Sequence, residues 1–177
     1  CIYVGIDLLF IIVAPEVITI LAGAKYVEAI YVIPPVAASM YLILLYNIYC
    51  IFEFYYEQTK SVMICSTISA VLNIILNSLF IPRYGYLAAG YTTLVCYLLN
   101  SIMHIVVLKK LESQYGILGV SIRCSFGVGL LLIILSIGIT YLYQFSILRW
   151  GIFIFIFIVV ILKRNYFITL IKRIRSK

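Results

Sequence analysis

Six windows of about 20 residues in this chain are almost free of charged side chains, and they constrain the fold more than any other feature. About 20 apolar residues in a helix cross a hydrocarbon core of ~30 Å. The apolar runs are continuous rather than alternating and exceed the ~10 residues of a tilted barrel strand. The sequence therefore predicts an all-α polytopic transmembrane bundle of six helices. They cover residues 2–22, 32–52, 61–81, 87–108, 124–143 and 147–162.

Composition excludes an ordinary water-soluble domain. Of the 177 residues, 66% are hydrophobic and 11% are charged, whereas globular domains average roughly half apolar and about a quarter charged residues. The chain opens at Cys1 without a methionine or a basic flank, unlike a cleavable signal peptide. We interpret it as a fragment that starts inside or just before a helix, with a lipid-modified Cys1 as the alternative.

The net charge of +7 is concentrated on one predicted membrane face. Short loops rich in Lys and Arg stay in the cytoplasm, and three basic residues on one side oppose ten on the other. The C-terminus is therefore predicted to be cytoplasmic, and no nucleic-acid partner is expected. Residues 163–177 are predicted to form a basic amphipathic tail on the inner leaflet, after a bundle over residues 1–162. The three are Lys25, Arg83 and Arg149; the ten are Lys60, Lys109, Lys110, Arg123, Lys163, Arg164, Lys172, Arg173, Arg175 and Lys177.

The cysteines and the histidine give no metal or disulfide pattern. The five cysteines are scattered through apolar segments without paired spacing, which favours packing roles. His104 has no carboxylate or Cys close to it in sequence. It is therefore expected to pack or form a hydrogen bond rather than bind a ligand, and we predict no metal, no cofactor and no catalytic residue.

Polar side chains recur every fourth residue on the third and fourth helices. Such stripes avoid lipid and face protein or a water-filled cavity. Close packing of helices is one interpretation, favoured for Ser61, Cys65 and Ser69; a cavity lining is the other, for the asparagines and His104. Pro82 is expected to end the third helix, and Gly85 to supply the turn of an antiparallel hairpin. The stripes are Ser61, Cys65, Ser69, Asn73, Asn77 and Ala88, Thr92, Cys96, Asn100, His104.

Ionisable residues in the first helix are also functional candidates. Asp7 and Glu16 lie within an apolar segment, where charged groups are costly and usually functional. Asp7 has a second interpretation, a position near the cytoplasmic interface, where its charge costs little. The second helix carries Asn47 and ends in Glu53 and Glu57.

Two stretches resemble a known family. "PEVITILAGAKYVEA" (15–29) and "LNIILNSLFIPRYGYLAAGYTT" (72–93) are similar to the C-terminal part of bacterial polysaccharide flippases. These are the O-antigen and capsule repeat-unit translocases of the multidrug/oligosaccharidyl-lipid/polysaccharide exporter superfamily. After Tyr-Gly the usual Gly-Ala-Ala reads Tyr86-Leu87-Ala88-Ala89-Gly90 here, a mild departure. The resemblance implies the second lobe of a twelve- to fourteen-helix transporter, with an N-terminal lobe missing from this sequence.

The resemblance also implies a function. A bacterial plasma (inner) membrane flippase carries polyprenyl-pyrophosphate-linked oligosaccharide from the cytoplasmic to the outer leaflet by alternating access, without catalysis or a cofactor. Partners would be the lipid-linked oligosaccharide, membrane lipids, the other lobe, and a glycan polymerase with other assembly proteins. Arg123 is the pyrophosphate candidate. The cavity-lining candidates are Asn47, Asn73, Asn77 and Asn100, and the ion-coupling candidates are Asp7, Glu16 and His104.

Two other functions remain open at this point. A drug or cation exporter of the same superfamily would share the architecture but should place acidic residues in mid-membrane. A membrane-bound glycan polymerase or acyltransferase would need catalytic residues in a sizeable outer loop, and the predicted outer loops are short.

Overall fold

The chain folds into consecutive α-helices, and the described residues contain no β-strand. The computed structural model describes residues 2–116 and 122–162. A 3₁₀ segment, Ala24–Val32, joins the first two helices. Five helices, α1 to α5, are long and apolar enough to cross a membrane, so the predicted helical membrane bundle is confirmed. The helices are α1 (Ile2–Leu21), α2 (Ile33–Tyr55), α3 (Thr59–Tyr84), α4 (Leu87–Tyr115), α5 (Ile122–Leu142) and α6 (Ser146–Leu162).

Two compact units divide the chain, Cys1–Thr140 and Tyr141–Lys177. In the first unit α4 packs against both α2 and α3, and α1 packs against α2. Apolar residues at helical spacing on α2 meet residues of α4 and α5 in one core, because side chains three, four and seven apart share a helix face. Its buried members are Ala38, Tyr41, Leu42, Leu45, Tyr49, Leu94, Leu108, Leu111 and Leu132.

The second unit contains α6. This helix has 17 described residues, at the lower end of the length that a spanning helix needs. Near its start the Arg149 guanidinium lies 5.9 Å from the centre of the Tyr143 ring, within cation–π range. The predicted basic tail, 163–177, lies outside the described residues.

The third helix ends later than the sequence predicts, while the hairpin turn lies at Gly85 as expected. Pro82 does not end the helix: α3 continues through it to Tyr84, and Gly85 follows with φ 70°. A proline in the last turn removes one backbone hydrogen bond and leaves few residues beyond it to disturb. Glycine adopts positive φ at little cost, and the Gly85 N–H donates to the Ile81 carbonyl at 2.8 Å. Gly85 is therefore the residue that ends the helix.

A close approach between α5 and α2 gives a test of this packing. A Cβ atom added at Gly129 would lie 2.9 Å from Tyr41 Cε1, and the Tyr41 ring is held because its hydroxyl donates to the Ser125 carbonyl at 2.9 Å. We expect Gly129→Val to lower the free energy of unfolding by about 1–3 kcal/mol, measured by unfolding of the detergent-purified protein. Gly127→Val is the matched control, since a Cβ there meets nothing within 4 Å. Equal losses in both variants would contradict this contact.

Candidate functional site

The polar stripes of α3 and α4 meet along the hairpin. The Ser69 hydroxyl donates to Asn100 Oδ1 at 3.0 Å. Nearer the turn, the Thr92 hydroxyl donates to Asn77 Oδ1. Asn77 Nδ2 in turn donates to Asn73 Oδ1 at 3.0 Å. Two hydrogen-bonded chains therefore connect the helices: a single bond from Ser69 to Asn100, and two successive bonds from Thr92 through Asn77 to Asn73.

Each chain ends in an amide with spare hydrogen-bonding capacity. Asn73 and Asn100 both use the side-chain oxygen as an acceptor. This leaves the Nδ2 groups of Asn73 and Asn100 without a partner among the described residues. Each Nδ2 group has N–H donors, so two donors on facing helices are available to a bound molecule.

A pocket of about 480 Å³ opens beside these two amides. Its walls come from α2, α3 and α4 and combine amides and hydroxyls with aromatic rings. Among the described residues, no charged side chain lines it. Its volume falls within the ~300–1,000 Å³ that is usual for small-molecule sites. The lining residues are Tyr46, Ser66, Ser69, Ala70, Asn73, Ile74, Thr93, Cys96, Tyr97 and Asn100.

Three stacked rings lead from this pocket into the interface of α2 and α4. The rings of Tyr46 and Tyr97 are nearly parallel, at 9°, with centroids 6.0 Å apart. The Tyr46 ring also stacks with the His104 ring, at 15° and 5.8 Å. Both tyrosines line the pocket, so Tyr46 separates it from His104.

His104 forms a hydrogen bond, one of the two roles that the sequence predicts for it, and its partner is Glu53. The His104 Nδ1 lies 2.6 Å from Glu53 Oε1, within hydrogen-bonding distance, and both side chains are 0% exposed. Cys50 Sγ lies 3.8 Å from His104 Nε2. The sequence does not identify these partners because they come from α2, 51 residues away for Glu53, and only the packing of α2 on α4 brings them together.

Glu53 lies in the last turn of α2, at the helix end where the sequence places it, but its burial was not predicted. It is fully buried, and its second oxygen, Oε2, has no hydrogen-bond partner among the described residues. The described residues hold no group of three or more His, Cys, Asp or Glu placed to bind a metal ion. The Glu53 carboxylate and the His104 imidazole form a buried hydrogen bond between α2 and α4.

The other candidates lie apart from the pocket. Asn47 is exposed on α2, and it is not one of the described residues that line the pocket. Asp7 is buried in α1, with its Oδ2 unpartnered among the described residues, and Glu16 is half-buried on the same helix. The Arg123 side chain lies outside the described part of the chain. Of the cavity-lining candidates, Asn73 and Asn100 line the pocket. Asn77 is hydrogen-bonded to Asn73 without being among the described lining residues, and the acidic candidates lie apart.

The aromatic wall of the pocket, formed by Tyr46 and Tyr97, and the Glu53 carboxylate behind it were not predicted from the sequence. One signal was present: Tyr46, Cys50 and Glu53 are spaced i, i+4, i+7 and share a face of α2. Tyr97 and His104 are likewise seven residues apart on α4. The two faces become a site only once α2 and α4 are known to be neighbours.

Reaction with a thiol reagent tests whether the pocket is open to water. In a chain whose native cysteines are replaced by alanine, Ser66→Cys and Asn73→Cys should react with a small charged reagent. Ile75→Cys is the control, since Ile75 is exposed on the apolar side of α3. We expect roughly tenfold slower reaction there, because lipid excludes the charged reagent. Equal rates at the three positions would contradict a water-filled pocket.

Together these features define the class: a polytopic α-helical membrane protein with an uncharged polar pocket among three of its apolar helices. Comparison of the chain with protein-family models, with curated proteins and with solved structures gives no match.

Proposed function

We propose that the chain is part of a flippase for polyprenyl-pyrophosphate-linked oligosaccharides. The observation that carries this proposal is the pocket among α2, α3 and α4, where Asn73 and Asn100 offer free amide donors inside an apolar bundle. A sugar hydroxyl that enters hydrocarbon loses its hydrogen bonds with water, at a cost of several kcal/mol. Amides and hydroxyls in the pocket replace those hydrogen bonds.

Alternating access would move the cargo without chemistry on it. The described bundle would rock against a second lobe of the same protein, and the cavity between them would open to one leaflet and then the other. The cargo would travel from the cytoplasmic to the outer leaflet of a bacterial plasma membrane, with the C-terminus in the cytoplasm. Glycan polymerase and other assembly proteins would take up the product.

Two parts of this mechanism rest on residues away from the pocket. The pyrophosphate needs a cation, and the pocket has none among its described lining residues, so Arg123 or the second lobe would supply it. Coupling to an ion stays a prediction for Asp7, Glu16 and His104. His104 is buried and hydrogen-bonded to Glu53, away from Asp7 and Glu16 on α1.

A drug or cation exporter of the same superfamily is the second candidate. It is favoured by Asp7, a carboxylate that is 9% exposed within an apolar helix, since acidic groups inside a bundle attract cations. It is disfavoured by the pocket, where the described lining holds no carboxylate.

Reconstitution tests the proposal. Vesicles containing the full-length protein and a fluorescent lipid-linked oligosaccharide are treated with a reagent that destroys fluorescence in the outer leaflet only. We expect the protein to make the inner-leaflet pool accessible as well. Transport of an organic cation by the same vesicles, with no movement of the glycan, would overturn the flippase and support the exporter.

A further inference from the structure

We propose that the pocket lined by Asn73 and Asn100 binds an uncharged sugar residue of the cargo and discriminates against acidic sugars. This inference rests on the proposed function, and it makes the pocket a subsite for one part of the cargo. The pyrophosphate and any acidic sugar are then held elsewhere.

Charge is the first argument for an uncharged ligand. Among the described residues no cation lines the pocket, and a carboxylate that leaves water without a cationic partner is strongly disfavoured. His104 lies behind Tyr46 and is already bonded to Glu53 at 2.6 Å. The cationic form of His104 would be matched by that carboxylate, so it offers no net charge to an acidic sugar.

Hydrogen bonding is the second argument. The free donors of Asn73 and Asn100 come from facing helices, α3 and α4, so one ligand between them can accept from both. Ser66 and Thr93 add hydroxyl groups to the same walls, and hydroxyls both donate and accept. A sugar ring carries hydroxyls around its edge, and this mixed set of partners satisfies them without a charge.

The aromatic wall is the third argument. Tyr46 and Tyr97 both line the pocket, and their nearly parallel rings stack on each other with centroids 6.0 Å apart. Aromatic surfaces carry partial negative charge on their faces and contribute large apolar contact areas. The C–H groups of a sugar ring pack favourably on such a surface, whereas a carboxylate does not. The pocket therefore combines apolar contact on one side with polar contact on the other.

Protection from a thiol reagent distinguishes the two classes of sugar. The full-length protein in membrane vesicles carries Ser66→Cys in a background without native cysteines, and its labelling rate is measured with methyl N-acetylglucosaminide or methyl glucuronide. We expect the uncharged glycoside to slow labelling, and the acidic one to need at least about tenfold higher concentration. Adding Asn73→Leu should weaken protection about five- to tenfold, while Ser78→Leu, an exposed position of α3 outside the lining, should leave it unchanged.

The outcomes separate this inference from the proposed function. Equal protection by both glycosides, or by neither, overturns the subsite. If either of these results is found while the reconstituted protein still moves lipid-linked oligosaccharide, the flippase stands and the subsite falls. If the uncharged glycoside protects selectively while no glycan crosses the membrane, the subsite stands and the flippase falls.

Discussion

Replacing Glu53 by alanine is expected to destabilise the helix bundle by about 1–3 kcal/mol, the usual cost of leaving a buried hydrogen-bonding group without its partner. Glu53 and His104 are both fully buried, and their side chains approach to 2.6 Å. Without the carboxylate, the imidazole Nδ1 would lose its hydrogen-bond partner in an apolar interior. The free energy of unfolding of the detergent-purified protein measures the effect.

Three further variants make this result specific. Glu112→Ala removes an exposed carboxylate of α4 and should change stability little. Glu53→Gln keeps an acceptor for the imidazole and should cost less than Glu53→Ala. Glu53→Ala combined with His104→Ala should cost less than the sum of the single changes, with a coupling of about 0.5–3 kcal/mol. Additive effects, or a Glu53→Ala loss no larger than that of Glu112→Ala, would show that the pair does not hold α2 to α4.

Replacing Asn73 and Asn100 together by leucine is expected to slow oligosaccharide flipping at least about 30-fold. Each lost amide leaves a polar group of the cargo without a partner, at about 1–3 kcal/mol, and two such losses multiply in rate. The reconstituted vesicle assay with fluorescent lipid-linked oligosaccharide measures the rate. Asn100 also accepts from Ser69 at 3.0 Å, so the single Asn73→Leu variant is measured alongside.

Ser78→Leu is the control for this prediction. It places the same side chain on α3 at an exposed position outside the pocket lining, and flipping should continue at the original rate. Unfolding of each purified variant shows whether a loss of rate reflects a loss of fold. A normal rate in the folded double variant would remove the pocket from the transport path.

The membrane class and the helix positions follow from the sequence, because both are local properties. Apolar length between charges sets where a helix can cross lipid, and the predicted windows agree with α1 to α5 within a few residues at most ends. The exceptions are polar or proline-containing ends: α4 continues past Lys110 to Tyr115, and α3 passes Pro82. There, backbone hydrogen bonding and a glycine with positive φ decide the helix end, Gly85 after α3 and Gly116 after α4, and apolar length does not.

The polar stripes of α3 and α4 were also predicted from the sequence, since residues four apart share one helix face. The short turn between the two helices makes them neighbours. The pairing of Glu53 with His104 was not predicted. It depends on α2 lying against α4, two helices that are separated along the chain by all of α3. Sequence spacing specifies which residues share a face of one helix, whereas contact between faces of different helices is decided by the packing of the whole bundle. The aromatic wall and the buried carboxylate behind it therefore emerge only from the tertiary structure.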